Sequence, residues 1–357
     1  MRLRSSDRGT SPGNAERLVR RRIPNTFRMV GIPRLMRGTV ELNDAQTGWF
    51  VDQRLKLPQG KRREYLDQVD RLIENFAAEV RKAPDLGIHQ FRKTGSLRKG
   101  TVLRPRGDVG VDADVAVYMK LANPDEFPLE TLHERLRTML VAAYPGKSSS
   151  DFVVQPRTLG ITFRTSGLEM DLVPVIPTDE ACDYGWQPSS RGAPPLLTSI
   201  PRQLEFIRER KQGYARFTSL VRLLKHWRNQ QELSALRSFL IELIVSHLQD
   251  QHGAPRTMED GLLRFFLYVA QTELRLPIYF PEPGAVTELP ADRVVVLDPV
   301  NVANNVASRL TEADCKEIVA KATEAWELLT AARNNGYKGE TLEYWKGVFG
   351  RSFAIEE

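Results

Sequence analysis

The sequence predicts an α+β fold, with a mixed strand–helix first half followed by a helical second half. Three observations carry this. Apolar residues alternate with period two at 111–118 and recur in short β-type runs up to residue 175. Beyond residue 217 the apolar spacing turns to three and four, over 217–229, 238–251, 261–272 and 311–332. Between the two regimes lies a Pro-, Gly- and Ser-rich stretch, 176–202, which reads as a loop or linker.

In chain order, 61–82 reads as an amphipathic helix, because Tyr65, Val69, Leu72, Ile73, Phe76 and Val80 fall on one face and Pro84 and Gly87 stop it. A short strand is expected at 90–93. In the strand 111–118, Val111, Ala113, Val115 and Val117 take one face and Asp112 and Asp114 the other. A helix over 129–143 follows a Pro-rich turn at 123–128, and strands are expected at 152–155, 160–165 and 168–175. No internal repeat or low-complexity tract interrupts this order.

Composition narrows the function. Hydrophobic residues make up 41% of the 357 and charged residues 27%, an ordinary globular balance that excludes a wholly disordered chain. No apolar run approaches the ~20 residues needed to span a bilayer, so no membrane partner is expected. Two distant cysteines, Cys182 and Cys315, exclude a disulfide scaffold and a zinc ribbon and fit a cytoplasmic protein. His89, His133, His226, His247 and His252 show no metal spacing.

The formal charge of +6 is unevenly placed: residues 1–37 hold ten arginines against Asp7 and Glu16, a net +8, leaving the rest at −2. That segment reads as an arm for nucleic acid or another anionic surface, or as a loosely ordered extension with Met29 and Met36 as later starts. No apolar stretch follows the arginines, so a secretory signal is not expected.

The chemistry concentrates in 94–120. Gly95 and Ser96 follow a short strand. A glycine permits close backbone approach and a serine hydroxyl beside free N–H groups can hold a phosphate, although the pair alone carries little. Asp112 and Asp114 put two carboxylates on one strand face, which suits either a solvated acidic edge or a divalent cation. Asp171, flanked by Met170, Leu172 and Val173, supplies a third carboxylate, with Glu169 on the same face as runner-up. Three carboxylates can hold two metal ions about 3.5–4 Å apart. The loop cations Arg98, Lys99, Arg104 and Arg106 either neutralise phosphates or are solvated, and Trp227 reads as core.

Ser96, Asp112, Asp114 and Asp171 together resemble the DNA polymerase β-like nucleotidyltransferase superfamily: a Gly-Ser turn, an Asp-x-Asp pair and a distant Asp. Residues 220–245 resemble the helical signature of the oligoadenylate synthase and cyclic-GMP-AMP-synthase (OAS/cGAS-like) group. Residues 297–307, with Asp298 before Asn304 and Asn305, resemble the bacterial branch: the cGAS/DncV-like CD-NTases, cyclic-oligonucleotide synthases of anti-phage CBASS signalling. The resemblance runs from about residue 44 to 329.

It implies a nucleotidyltransferase core (mixed sheet with flanking helices) over 38–200, a helical nucleotide-binding domain over 201–357 and a basic extension over 1–37. It implies that Asp112, Asp114 and Asp171 are catalytic and bind two Mg2+ ions, with Mn2+ as a substitute. Gly95, Ser96, Lys225 and Ser238 would contact the donor triphosphate. Phe239 would stack on a base, unless it is core, and Asp298 would touch a nucleotide, unless it caps the turn before Asn301.

The expected reaction joins ATP and GTP, or other nucleoside triphosphates, into a cyclic di- or trinucleotide second messenger, for example of the cyclic GMP-AMP type, with pyrophosphate release. The product would act on a separate effector protein, and a regulatory protein partner fits the same scheme. Two alternatives remain at this point: transfer of nucleotides to an RNA, tRNA or protein acceptor, and an inactive nucleic-acid-binding module. Nucleic acid is not expected as activator, since no His/Cys cluster and no net positive body support duplex binding.

Overall fold

A computed structural model describes residues 42–105, 110–122 and 129–356. The arginine-rich segment 1–37, the cation Arg106 and the Pro-rich turn at 123–128 lie outside the described residues.

The first helix, α1 (Asp44–Phe50), is closed by a reciprocal cap in which Gln46 N–H donates to Asn43 Oδ1 at 2.9 Å and Asn43 N–H donates to Gln46 Oε1 at 3.1 Å. A π-helical turn, Val51–Leu55, extends it and leads to α2 (Gln59–Val80). The chain then runs through β1 (Leu86–Thr94), a one-turn helix α3 (Gly95–Lys99), β2 (Val111–Leu121) and α4 (Leu129–Ala143). Next come β3 (Phe152–Val154), β4 (Leu159–Phe163), β5 (Leu168–Pro177), β6 (Gly185–Gln187) and β7 (Leu196–Thr198). The helical part comprises α5 (Ile200–Gly213), α6 (Phe217–Gln230), α7 (Ser238–His252), α8 (Met258–Thr272), α9 (Glu312–Arg333) and α10 (Lys338–Phe349), with a hairpin of β8 (Leu297–Asp298) and β9 (Asn301–Asn305) between α8 and α9.

Strands β1-β2-β5-β4-β3 form a sheet in that order, with β6 and β7 attached at the C-terminal end of β5. The β2–β5 pair is parallel and the other neighbours are antiparallel. One face of the sheet, including Val111, Val115 and Val117 of β2 and Leu168, Met170 and Leu172 of β5, is buried under the apolar stripes of α2 and α4. The opposite face changes character along its length. Ala116 and Tyr118 of β2 and Val173 and Val175 of β5 pack against Cys182 and Ile200, whereas Asp112, Asp114, Glu169 and Asp171 occupy the uncovered end. The period-two signal in the sequence therefore reflects a sheet buried on one face throughout and on the other for only part of its length.

A second core gathers the helices from α5 onward, with Trp227 fully buried and edge-on to Phe266 at a centroid distance of 4.8 Å. Leu42, Phe50, Val51 and Leu55 belong to this core, so residues 42–55 pack with the helical half.

The stretch 176–202, read as loop, contains β6, β7 and the start of α5, whose first turn is capped by Ser199 Oγ accepting from Arg202 N–H at 3.3 Å. Three-residue strands give too few residues for a periodic signal. Helix α8 starts at Met258, before the expected residue 261, because Thr257 Oγ1 accepts from Asp260 N–H at 3.1 Å. Gly261 sits inside that helix for packing: a Cβ there would lie 2.8 Å from a Leu220 methyl. No helix among the described residues is long and apolar enough to cross a membrane.

Candidate active site

Strand register builds the site. In the parallel β2–β5 ladder Asp112 pairs with Glu169 and Asp114 with Asp171. Side chains alternate along each strand, so these four carboxylates share one face. Across the next ladder Gly160 of β4 pairs with Asp171, and a Cβ at Gly160 would lie 3.2 Å from Asp171 Oδ1; the missing side chain leaves that carboxylate its space. Gln155 Nε2 donates toward Asp171 Oδ1 at 3.4 Å.

From the other side, β1 delivers Thr94 opposite Asp114, and the chain turns at Gly95 with φ +64°. A Cβ at Gly95 would stand 1.7 Å from Asp114 Oδ2, so only glycine lets the turn close on this carboxylate. Ser96 follows in the first turn of α3, and its carbonyl accepts from Thr101 N–H (2.9 Å) and Val102 N–H (3.2 Å).

Helices α6 and α7 supply the positive side. Lys225, 5% exposed, donates from Nζ to Thr101 O at 3.0 Å, and Arg228 Nη1 donates to Ser238 Oγ at 3.1 Å. Asp112, Lys225, Arg228 and Ser238 line one cavity of about 280 Å3, with Val102 and Arg104 on its wall. The structure thus brings Asp112 together with Lys225 and Ser238, and Asp114 with Gly95 and Asp171. Phe239 is half-buried against the helical core, with Lys99 Nζ 4.4 Å from its ring centroid.

Asp298 differs from the expected nucleotide contact. It is 3% exposed, Oδ1 accepts from Val300 N–H (3.0 Å), and Oδ2 accepts from Gln203 (2.9 Å) and Asn304 (3.0 Å). Its carboxylate is committed to the turn of the β8–β9 hairpin, which is the turn-cap reading of the same residue.

Arg228 is the site residue that sequence reasoning missed. Its signal was there: it lies three residues after Lys225, on the same helix face.

The electrostatics follow from this packing. Burial pushes the Asp114 carboxyl up to about 6, with the charge of Asp112 adding to the rise and Lys99 and Lys225 opposing it. Burial, then the charges of Asp114, Asp112 and Glu169, push Asp171 up to about 6 as well. Burial also raises Asp112, against the pull of Lys225 and Arg228. Lys225 is pushed down to about 8 by burial, against the pull of Glu242.

Among the described residues no three His, Cys, Asp or Glu groups stand at closed metal-ligand spacing. The donor set nevertheless fits a hard divalent cation: carboxylate oxygens only, sharing one face, with the proton affinities of Asp114 and Asp171 raised by burial and then by neighbouring carboxylates. A cation between them relieves that repulsion.

The folded-state values of Asp114 and Asp171 lie above the ordinary carboxylate value of 3.8, so the folded, metal-free protein binds protons more tightly than the unfolded chain. Stability in chelator should fall as pH rises from about 4 to about 6, then level off. Asp114→Asn should recover about 1–2 kcal/mol at pH 7.5, less than the ~3 kcal/mol of two full pKa units because part of the group keeps its water. Thermal melts in chelator across this pH range read it directly; a mutant melting below wild type at pH 7.5 contradicts the assignment.

No protein-family model matches the chain. The CBASS oligonucleotide cyclase CdnC of Escherichia coli (strain KTE188) is 36% identical over 316 residues, covering 88% of this chain and 99% of that relative. A cyclic AMP-AMP-AMP synthase of Escherichia coli (strain MS 115-1) is 33% identical over 311 residues, covering 85% of this chain and 95% of the relative. Among solved structures, E. coli MS115-1 CdnC with ATP superposes at a TM-score of 0.74 with 33% identity, covering 87% of this chain and 99% of the other. The same cyclase in complex with HORMA-deltaN gives 0.73 and 31%, covering 87% and 98%. A paired acidic face closed by a Gly-Ser turn, on a chain with relatives this similar over nearly their full length, places the protein in the family of CBASS oligonucleotide cyclases, nucleotidyltransferases of the CD-NTase group.

Proposed function

We propose that the protein polymerises ATP into a cyclic oligoadenylate, a trinucleotide of the cyclic AMP-AMP-AMP kind, with release of pyrophosphate at each step. The observation that carries the reaction type is the register of β2 on β5, which sets Asp114 beside Asp171 and Asp112 two residue pairs away, at the mouth of a cavity walled by Lys225, Arg228 and Ser238. The choice of adenosine is supported by the relative named a cyclic AMP-AMP-AMP synthase and by the solved ATP-bound cyclase. It takes precedence over the cyclic GMP-AMP type of product given as the example above.

Each residue then has a task. Asp112, Asp114 and Asp171 would hold two Mg2+ ions, or Mn2+ in their place; such ions would neutralise phosphate charge and lower the pKa of an attacking hydroxyl. Ser96, Ser238, Lys225 and Arg228 bind the donor triphosphate, and the last two offset the charge of the departing pyrophosphate. The acceptor ribose hydroxyl attacks the donor α-phosphorus in line, the bond to the β-phosphate oxygen breaks, and the hydroxyl proton passes to the solvent. Phe239 offers a half-buried ring on which a base stacks. Exchange of donor and acceptor ends closes the ring. A HORMA-type protein serves as regulator, on the model of the solved CdnC complex, and the product acts on a separate effector.

Pyrophosphate release from ATP and Mg2+ with no RNA or protein acceptor present tests this reading. Acceptor-free release supports it. Release that starts only when tRNA or a protein acceptor is added returns the enzyme to the macromolecular-transfer alternative.

A further inference from the structure

The short loop after the Gly-Ser turn is gripped from the helical half at every residue. Lys211 Nζ donates to Lys99 O at 3.0 Å, Arg222 donates to Gly100 O and, at 3.3 Å, to Val102 O, and Lys225 Nζ donates to Thr101 O at 3.0 Å. Four consecutive carbonyls are thereby held by three cations from α5 and α6. One anion completes the arrangement. Glu242 of α7 is 1% exposed, and its carboxylate accepts from Lys99 Nζ at 2.7 Å through Oε2 and from Thr101 Oγ1 at 3.0 Å through Oε1. A buried carboxylate is costly unless its oxygens are satisfied, and here both are taken by residues on either side of Gly100.

The link reaches the phosphate-holding turn in two hydrogen bonds. Glu242 holds the Thr101 side chain, and Thr101 N–H donates to Ser96 O at 2.9 Å. Gly95, next to Ser96, is the residue that closes on Asp114.

We propose that Glu242 is a positioning residue: a buried strut between the halves that, through Lys99 and Thr101, fixes the Gly95–Ser96 turn against Asp114 for nucleotidyl transfer. The inference rests on the proposed reaction and adds a residue that touches neither nucleotide nor metal. Its kinetic signature differs from that of a triphosphate ligand. Removing the anion makes the cleft more positive, so nucleotide affinity holds while the geometry of transfer relaxes.

Glu242→Gln keeps size and one acceptor, and Thr101→Val removes the hydroxyl that links Glu242 to Ser96. Turnover, binding of α,β-methylene ATP with Mg2+, thermal melting and hydrogen exchange of residues 95–105 are measured for both variants and their double mutant. The expected result is a kcat at least tenfold lower in each single variant, analogue affinity within about threefold of wild type, and faster exchange confined to 95–105. The double mutant should be no worse than the more affected single one, because both cut the same link. Unchanged kcat, a loss carried wholly by analogue affinity, or unchanged exchange in 95–105 overturns the strut. Wild-type protein that makes no product while Glu242→Gln still speeds exchange in 95–105 overturns the proposed reaction and leaves the mechanical link standing.

Discussion

Replacing Asp112 and Asp114 together by asparagine is expected to lower nucleotidyl transfer at least about 1,000-fold while leaving the fold intact. Both side chains stand on the uncovered end of a sheet face, beyond the part where Ala116, Tyr118, Val173 and Val175 are buried, so the exchange removes charge without opening a cavity. Asparagine keeps the shape and loses the anion on which cation binding depends. The measurement is pyrophosphate release at saturating ATP and Mg2+, with circular dichroism and a thermal melt to establish folding. In chelator the variant should melt no lower than wild type, since the mutual repulsion of Asp112, Asp114 and Asp171 is relieved. A folded variant with wild-type turnover would remove these carboxylates from the reaction.

Gly95→Ala should be nearly as damaging with a single methyl group. At φ +64° an L-residue costs about 1–2 kcal/mol, and the new Cβ would stand 1.7 Å from Asp114 Oδ2. Either the turn lifts away or the carboxylate rotates, and each separates Ser96 from the acidic face. We expect turnover to drop about 100-fold, a scale at which a misplacement of about 1 Å is sufficient. The loss of stability should be modest, about 1–3 kcal/mol, because the end of α3 and the loop after it, from Lys99 to Val102, are held by Lys211, Arg222 and Lys225. Gly100→Ala is the control, having positive φ but open space around a Cβ. If Gly95→Ala and Gly100→Ala lose activity equally, backbone strain rather than contact with Asp114 explains the effect.

The acidic face was legible because its signal is local. Asp112 and Asp114 alternate with valines over eight residues, and Asp171 and Glu169 repeat the pattern, so each strand announces its own acidic side. The pairing of the two strands was not legible from that pattern, because register between segments more than fifty residues apart is set by the whole sheet and not by either run.

The helical half divides in the same way. Lys225 and Ser238 stood out by resemblance, whereas Arg228 was hidden among surface-type charges until the fold turned its face of α6 inward. Glu242 carried a sequence signal that went unread: a carboxylate inside the apolar run 239–245 of α7 either reaches water or is paired, and this one is paired. Asp298 was open to two readings, since an Asp-Pro turn suits both a ligand and a cap, and the three donors around it supply the cap. Helix α10 went unpredicted because Gly339 and Gly347 weaken its propensity, while burial of Trp345, Val348 and Phe349 against the core supplies what propensity lacks.

The most direct test of the central claim is the product. Wild-type protein and the Asp112→Asn/Asp114→Asn variant are incubated with ATP, GTP, CTP and UTP and Mg2+ or Mn2+, treated with phosphatase and read by mass spectrometry. A phosphatase-resistant cyclic oligoadenylate from the wild type, absent from the variant, is the predicted result. Only linear, phosphatase-sensitive products from the wild type, or the same cyclic product from the variant, would contradict it.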